Sequence, residues 1–169
     1  MRDPALELHE AFVRGDLEAV RRSFGDATDF PNVYDECGTS CLIYALYHSP
    51  LSLVRQLLEL GANPNEPVQD GFPPLFVALD SNCADQAERV ALLLEFGADV
   101  QQRGVNDYTA LHYAASRDNA EAVTLLLSHG ADPQARTRID HYATPLEEAE
   151  YFGHCVGADA LRRAADSHL

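Results

Sequence analysis

The sequence predicts an all-α solenoid: short helix–turn–helix units stacked in a row, each closed by a glycine and followed by an extended loop. Three landmarks recurring at one period predict it. Leu-x-x-Ala occurs at Leu8/Ala11, Leu42/Ala45, Leu75/Ala78, Leu111/Ala114 and Leu146/Ala149, with successive leucines 34, 33, 36 and 35 residues apart. A valine follows the alanine after nine residues at Val20, Val54 and Val123, and after twelve at Val90. Seven residues beyond Val54, Val90 and Val123 stand Gly61-Ala62-Asn63, Gly97-Ala98-Asp99 and Gly130-Ala131-Asp132. A period of this length marks a repeat architecture, in which no unit buries its apolar stripe alone and neighbours must stack.

Five units fill 1–169 as a single domain, and each reads in order. Residues 5–33 form a divergent N-terminal cap, because Phe24-Gly25-Asp26 replaces the Gly-Ala-Asp ending. In 34–66 the apolar run Cys41 to Tyr47 makes the first helix, and Leu53 onward the second, stopped before Pro64. Residues 67–102 carry three extra residues between the helices, around Ser81-Asn82-Cys83-Ala84-Asp85. In 103–137, Thr109 is placed to cap a helix over Leu111 to Arg117. A second helix over Glu121 to His129 sets Val123, Leu126 and Leu127 on one stripe. Gly130 then offers a left-handed stop, and Pro133 forbids continuation. Residues 138–165 keep Thr144-Pro145-Leu146 but end in Leu161-Arg162-Arg163, a polar C-terminal cap. The loop before this cap is long: Gly130 to Leu146 spans 16 residues, against 14 for Gly61 to Leu75 and Gly97 to Leu111.

The run Tyr108-Thr109-Ala110-Leu111-His112-Tyr113-Ala114-Ala115, followed by Val123-Thr124-Leu125-Leu126-Leu127-Ser128-His129-Gly130-Ala131-Asp132, resembles the ankyrin repeat. Gly71-Phe72-Pro73-Pro74-Leu75 with Leu92 to Asp99 is the next match, and the resemblance covers roughly residues 5 to 165. It implies hairpin-like finger loops between units and a protein-binding role. It also implies a structural task for His112, whose ring would hydrogen-bond backbone between units.

Composition narrows the function. The chain carries 27 acidic side chains against 12 basic ones, a formal net charge of −15, and all the cations are arginine. Such an excess repels phosphate backbones and anionic lipid, so nucleic acid and membrane surfaces are excluded as direct partners. The absence of lysine hints at a bacterial, GC-rich source. The N-terminal residues form no signal-peptide core, so the expected location is cytoplasmic, with Cys37, Cys41, Cys83 and Cys155 as reduced thiols. Cys41 is expected buried and Cys83 exposed on the long turn.

No enzymatic constellation is present. Dinucleotide, phosphate-loop and nucleophile-elbow motifs are all missing. Asp140-His141 has no nucleophile beside it, and Cys37/Cys41 lack a second pair at zinc spacing. We therefore expect no cofactor, no metal and no catalysis, and a monomer when unbound.

In the resembled family, partners meet the concave face, made by the finger loops and the residues after Leu-x-x-Ala. Mapped onto this chain, that gives Glu36, Asp70, Phe72, Asn106, Tyr108, Asp140 and His141 on fingers. Tyr47, His48, Asp80, Ser116, Arg117, Tyr151 and Phe152 follow the inner helices. Arg136 and Arg138 sit on the enlarged finger, available to an acidic patch or to Asp140. Aromatics interleaved with carboxylates suit a basic or mixed-charge protein partner, with rings as anchors and acids as steering charges. The reading is a stoichiometric adaptor or inhibitor, including an immunity-type protein; the alternatives are an acidic nucleic-acid mimic and, less favoured, an enzyme or a metal or redox sensor.

Overall fold

A computed structural model describes residues 3–25, 27–66, 71–81, 83–138 and 142–166. Helices α1 (Pro4–Arg14), α3 (Cys41–His48), α5 (Pro74–Asp80), α7 (Ala110–Ser116) and α9 (Pro145–Tyr151) form an inner layer. Each pairs with the next helix in an outer layer: α2 (Leu17–Ser23), α4 (Leu51–Glu59), α6 (Gln86–Glu95), α8 (Ala120–Ser128) and α10 (Cys155–Asp166). Inner helices contact inner helices in sequence from α1 to α9, and outer ones do the same from α4 to α10. The chain is thus an all-helical solenoid.

Most of these helices are too short to hold in water on their own. What holds them is one continuous core running along the stack. Phe12, Leu46, Leu57, Phe76, Leu93, Leu111 and Leu126 are each fully buried within it. Alanines at the recurrent position (Ala11, Ala45, Ala78, Ala114, Ala149) are buried too, small enough to let the inner helices approach.

Sequence signals match local geometry closely. Ser40 caps α3 by accepting the Ile43 amide. Thr144 and Glu147 form a reciprocal capping box at α9. At α7 the expected cap residue Thr109 is present, but His112 closes the box, its Nδ1 accepting from the Thr109 amide at 3.3 Å. Gly61, Gly97 and Gly130 all adopt positive φ (94°, 85° and 85°), the left-handed stop that any Cβ would strain.

Beyond each glycine the units are laced by side chains. Asn32 accepts from the Asn63 amide and donates to the Gly61 carbonyl, and Asn65 treats Asp99 and Gly97 the same way. Gln101 continues the series by donating to the Gly130 carbonyl at 3.2 Å. The fingers are reduced to single bridges, Tyr34 with Ser40 and Arg103 with Thr109, and among the described residues no strand forms. Gly104 lets the fourth unit's finger lie on the third: a Cβ there would fall 2.6 Å from the Gly71 carbonyl and 2.9 Å from the Phe76 ring.

The lengthened turn of the third unit has a structural use. It places Asp85 and Arg89 so that Arg89, only 3% exposed, reaches back to the preceding unit. Its guanidinium pairs with Asp85 and donates to the carbonyls of Leu46 and Ser49 at the C-terminal end of α3. Gln86 seals the same turn by donating to the Leu79 and Ser81 carbonyls.

Candidate partner-binding face

Each finger leads into the N-terminus of an inner helix, the Tyr34–Ser40 bridge into α3 and the Arg103–Thr109 bridge into α7. Asp70, Asp140 and His141 lie outside the described residues. Glu36 is exposed on the second unit's finger and Asn106 on the fourth unit's. Asn106 takes φ 55°, turning the finger tip tightly before Asp107, itself at φ 58°.

At the N-terminal end, Tyr47 is 41% exposed and packs beside His48. His48 also meets the rings of Tyr44 and His9, at 4.7 and 5.4 Å between centroids, and the His9 Nδ1 pairs with the Tyr44 hydroxyl at 2.9 Å. Partial burial, reinforced by His9, holds the His48 imidazole below its ordinary value.

The middle of the face is knitted internally. Asp80 accepts from the Tyr113 hydroxyl at 2.6 Å and from Arg117 at 2.7 Å. Arg117 lies 5.0 Å over the Tyr113 ring, whose hydroxyl is pushed up to about 12, first by burial and then by Asp80. Phe72 is half-buried, edge-on to Tyr113. Ser116 is half-buried and returns its hydroxyl to the Tyr113 carbonyl, so it serves its own helix.

The arginines of the enlarged finger are engaged within the chain. Arg138 grips Asp107 through its backbone amide and its guanidinium, with the closest side-chain contact 2.7 Å. Arg103 holds the same carboxylate from the other side at 2.8 Å. The Arg138 hydrogen bonds keep the Asp107 carboxyl below its usual range. Arg136 donates to the Tyr142 carbonyl at 2.7 Å and to Glu147 at 3.1 Å. Both cations brace the finger, since a loop two residues longer than its counterparts has more ordering entropy to offset.

Toward the C-terminal end the face opens into a groove of about 490 Å³. Five residues read from the sequence meet there: Asn106, Tyr108, Arg136, Tyr151 and Phe152. Tyr108 is half-buried, stacked on His112 and donating to Glu148 at 2.9 Å. Tyr151 (73% exposed) and Phe152 (51%) are set edge-to-face at the rim. Together with Ala143, Glu147 and Glu148 complete the lining, and the two carboxylates are missing from the sequence-derived set. Their signal was the Thr144-x-x-Glu147 cap, which reads as helix punctuation and says nothing of a groove.

The family's usual histidine has its structural place. His112 is fully buried; its Nε2 donates to the Ala143 carbonyl of the next unit at 3.0 Å, and its Nδ1 contacts the Thr109 hydroxyl at 2.9 Å. Burial keeps it below the ordinary histidine value. Cys41 is buried, with its thiol pushed up to about 12 by burial and by Glu66, whereas Cys83 is only partly exposed. Among the described residues no group of three or more His, Cys, Asp or Glu is placed to hold a metal, and no helix is long and apolar enough to cross a membrane.

The chain is similar to alpha-latrocrustotoxin-Lt1a of Latrodectus tredecimguttatus, 34% identical over 91 residues, covering 52% of this chain and 6% of the toxin. It is 29% identical over 119 residues to the target of rapamycin complex 2 subunit AVO2 of Saccharomyces cerevisiae, covering 70% of this chain and 28% of that subunit. Alpha-latroinsectotoxin-Lt1a, also from Latrodectus tredecimguttatus, is 32% identical over 103 residues, 60% of this chain and 7% of the toxin. The chain therefore spans between 6% and 28% of the length of these relatives. A family model described as ankyrin repeats (3 copies) matches residues 8–104 and 83–167, nearly the whole chain. With the helix pairs, the glycine stops and the inter-unit histidine bond in place, the chain belongs to the ankyrin repeat family, a fold of protein–protein interaction modules.

Proposed function

We propose that this protein is a non-enzymatic, stoichiometric binding module, an adaptor or inhibitor, that engages a basic or mixed-charge protein through its inner-helix and finger face. The observation that carries the proposal is the C-terminal groove, where exposed Tyr151 and Phe152 stand beside Glu147 and Glu148. Exposed rings give large contact area at low ordering cost, and interface hot spots are enriched in such residues. Carboxylates around them attract and align a cationic surface. A chain at −15 adds long-range steering in the same direction. One relative carries in its name that it is a subunit of a complex, which agrees with an assembly role. In this reading the protein is cytoplasmic.

The test is affinity capture from extract of the source cells, followed by reconstitution of the complex with purified components. The expected result is one protein retained at fixed stoichiometry, released progressively by salt, and weakened by Tyr151→Ala/Phe152→Ala. Retention that persists unchanged in that double variant places the interface elsewhere. Displacement of the captured protein by DNA would instead favour the acidic-mimic alternative.

A further inference from the structure

We propose that the C-terminal groove is a receptor for an arginine side chain, presented by an extended segment of the partner protein. This rests on the protein-binding reading above and names the chemistry of its anchor.

Two carboxylates, Glu147 and Glu148, face one cation, Arg136, in the lining. Arg136 and Glu147 satisfy each other, and Glu147 also accepts from the Thr144 amide at 2.7 Å. Both are therefore committed to holding α9 and the finger in place. Glu148 differs. It receives the Tyr108 hydroxyl at 2.9 Å, and among the described residues it has no ion pair. A half-buried carboxylate positioned by a neutral donor leaves the groove with a net negative charge and an acceptor at its wall.

The rings supply the second half. Tyr151 and Phe152 form an edge-to-face pair with most or half of their surface exposed, on the turn that ends α9. A guanidinium is planar and weakly hydrated, stacks on aromatic faces, and donates to a carboxylate in the same plane. An ammonium matches the charge but cannot combine flat stacking with a forked bond. An acidic or purely apolar side chain would leave Glu148 either repelled or desolvated without compensation. The volume, about 490 Å³, admits one long side chain with flanking backbone.

The experiment uses the whole protein, labelled with 15N, and three short peptides as probes: acetyl-Gly-Arg-Gly-amide, its lysine counterpart and its glutamate counterpart. The arginine peptide is expected to shift amides around Tyr108, Glu148, Tyr151 and Phe152 saturably. The lysine peptide should bind several-fold more weakly and the glutamate peptide not at all. Glu148→Gln keeps an acceptor for Tyr108 while removing the charge, and should raise the arginine peptide's dissociation constant about fivefold. A second variant, Phe152→Leu, keeps bulk while removing the ring and should also weaken it. Equal binding of the arginine and lysine peptides, or shifts spread over the outer helices, or no effect of either variant, overturns the arginine assignment. None of those outcomes touches the protein-binding proposal, which fails separately if affinity capture retains no protein at fixed stoichiometry.

Discussion

Arg89 Nη2 donates to the carbonyl of Ser49 at 2.7 Å, between neighbouring repeats and across 40 residues of sequence. The bond closes the C-terminal end of α3, where carbonyls have no partner within their own helix. Asp85 neutralises the guanidinium from one turn earlier, at 2.8 Å. A buried cation that is both paired and hydrogen-bonded tolerates its site; the same site without it leaves carbonyls and a carboxylate unserved. Arg89→Ala should therefore cost about 2–4 kcal/mol. Asp85, a third exposed, should cost less when changed to asparagine. Urea unfolding midpoints check both, and an unchanged midpoint for Arg89→Ala would mean that water replaces the guanidinium.

Leu126 is completely buried in the last turn of α8. Leu126→Ala should lose roughly 2–5 kcal/mol, from lost burial and the cavity left behind. Because solenoid units are coupled only to neighbours, the loss should appear first as reduced amide protection in the last two units. Hydrogen exchange measures this directly.

Tyr151→Ala/Phe152→Ala should weaken partner binding by about 2 kcal/mol or more, with little change in stability, because both rings are largely exposed. Tyr108 is a poorer probe. Its stacking on His112 and its bond to Glu148 mean that Tyr108→Ala disturbs the finger and the inner helix together. Tyr108→Phe, which removes only the hydroxyl, separates the two effects in paired binding and unfolding measurements.

His112 is held neutral, chiefly by burial, against the opposing pull of its Ala143 bond and of Glu148 and Asp107. Its folded value lies below the unfolded 6.5, so the unfolded chain binds more protons in that interval. Stability from this group is present above pH 6.5 and is lost as pH falls toward the folded value. Partly buried His48 acts in the same direction. Glu66, raised by burial, acts in the opposite direction. A histidine-selective NMR titration should give His112 a midpoint below 6.5, and His112→Gln should flatten the fall in unfolding free energy on acidification from pH 7.

Cys41 is buried and its thiol is pushed up to about 12, while Cys37 and Cys155 are exposed. Iodoacetamide at pH 8 should label Cys37 and Cys155 promptly and reach Cys41 only on unfolding. Mass spectrometry of timed samples tests the order. Rapid labelling of Cys41 in the native protein would show that the second unit opens locally.

Much of the fold is legible in the sequence because repeats state the same physics several times over. Leu-x-x-Ala, the valine and the Gly-Ala-Asp ending name the buried stripe, the helix contact and the stop, and these depend on local periodicity alone. The groove residues Tyr108, Tyr151 and Phe152 were legible through the ankyrin resemblance, which singles out finger positions and the residues after Leu-x-x-Ala. Arg89 was not, since nothing local distinguishes it from a surface arginine until the lengthened turn carries it back against α3. Arg138 was legible as a finger cation, but its partner Asp107 lies 31 residues earlier, and only stacking brings the two fingers together. Glu148 announced itself as helix surface and became a groove wall because Tyr108 of the preceding unit reaches it. By itself, then, the sequence determined the solenoid, its units and its inward and outward faces, all properties of short-range pattern. Tertiary structure alone decided which charges pair between units, as Asp80 does with Arg117 and Asp107 with Arg138, because those residues stand about one repeat apart and their distance is set by how the units stack.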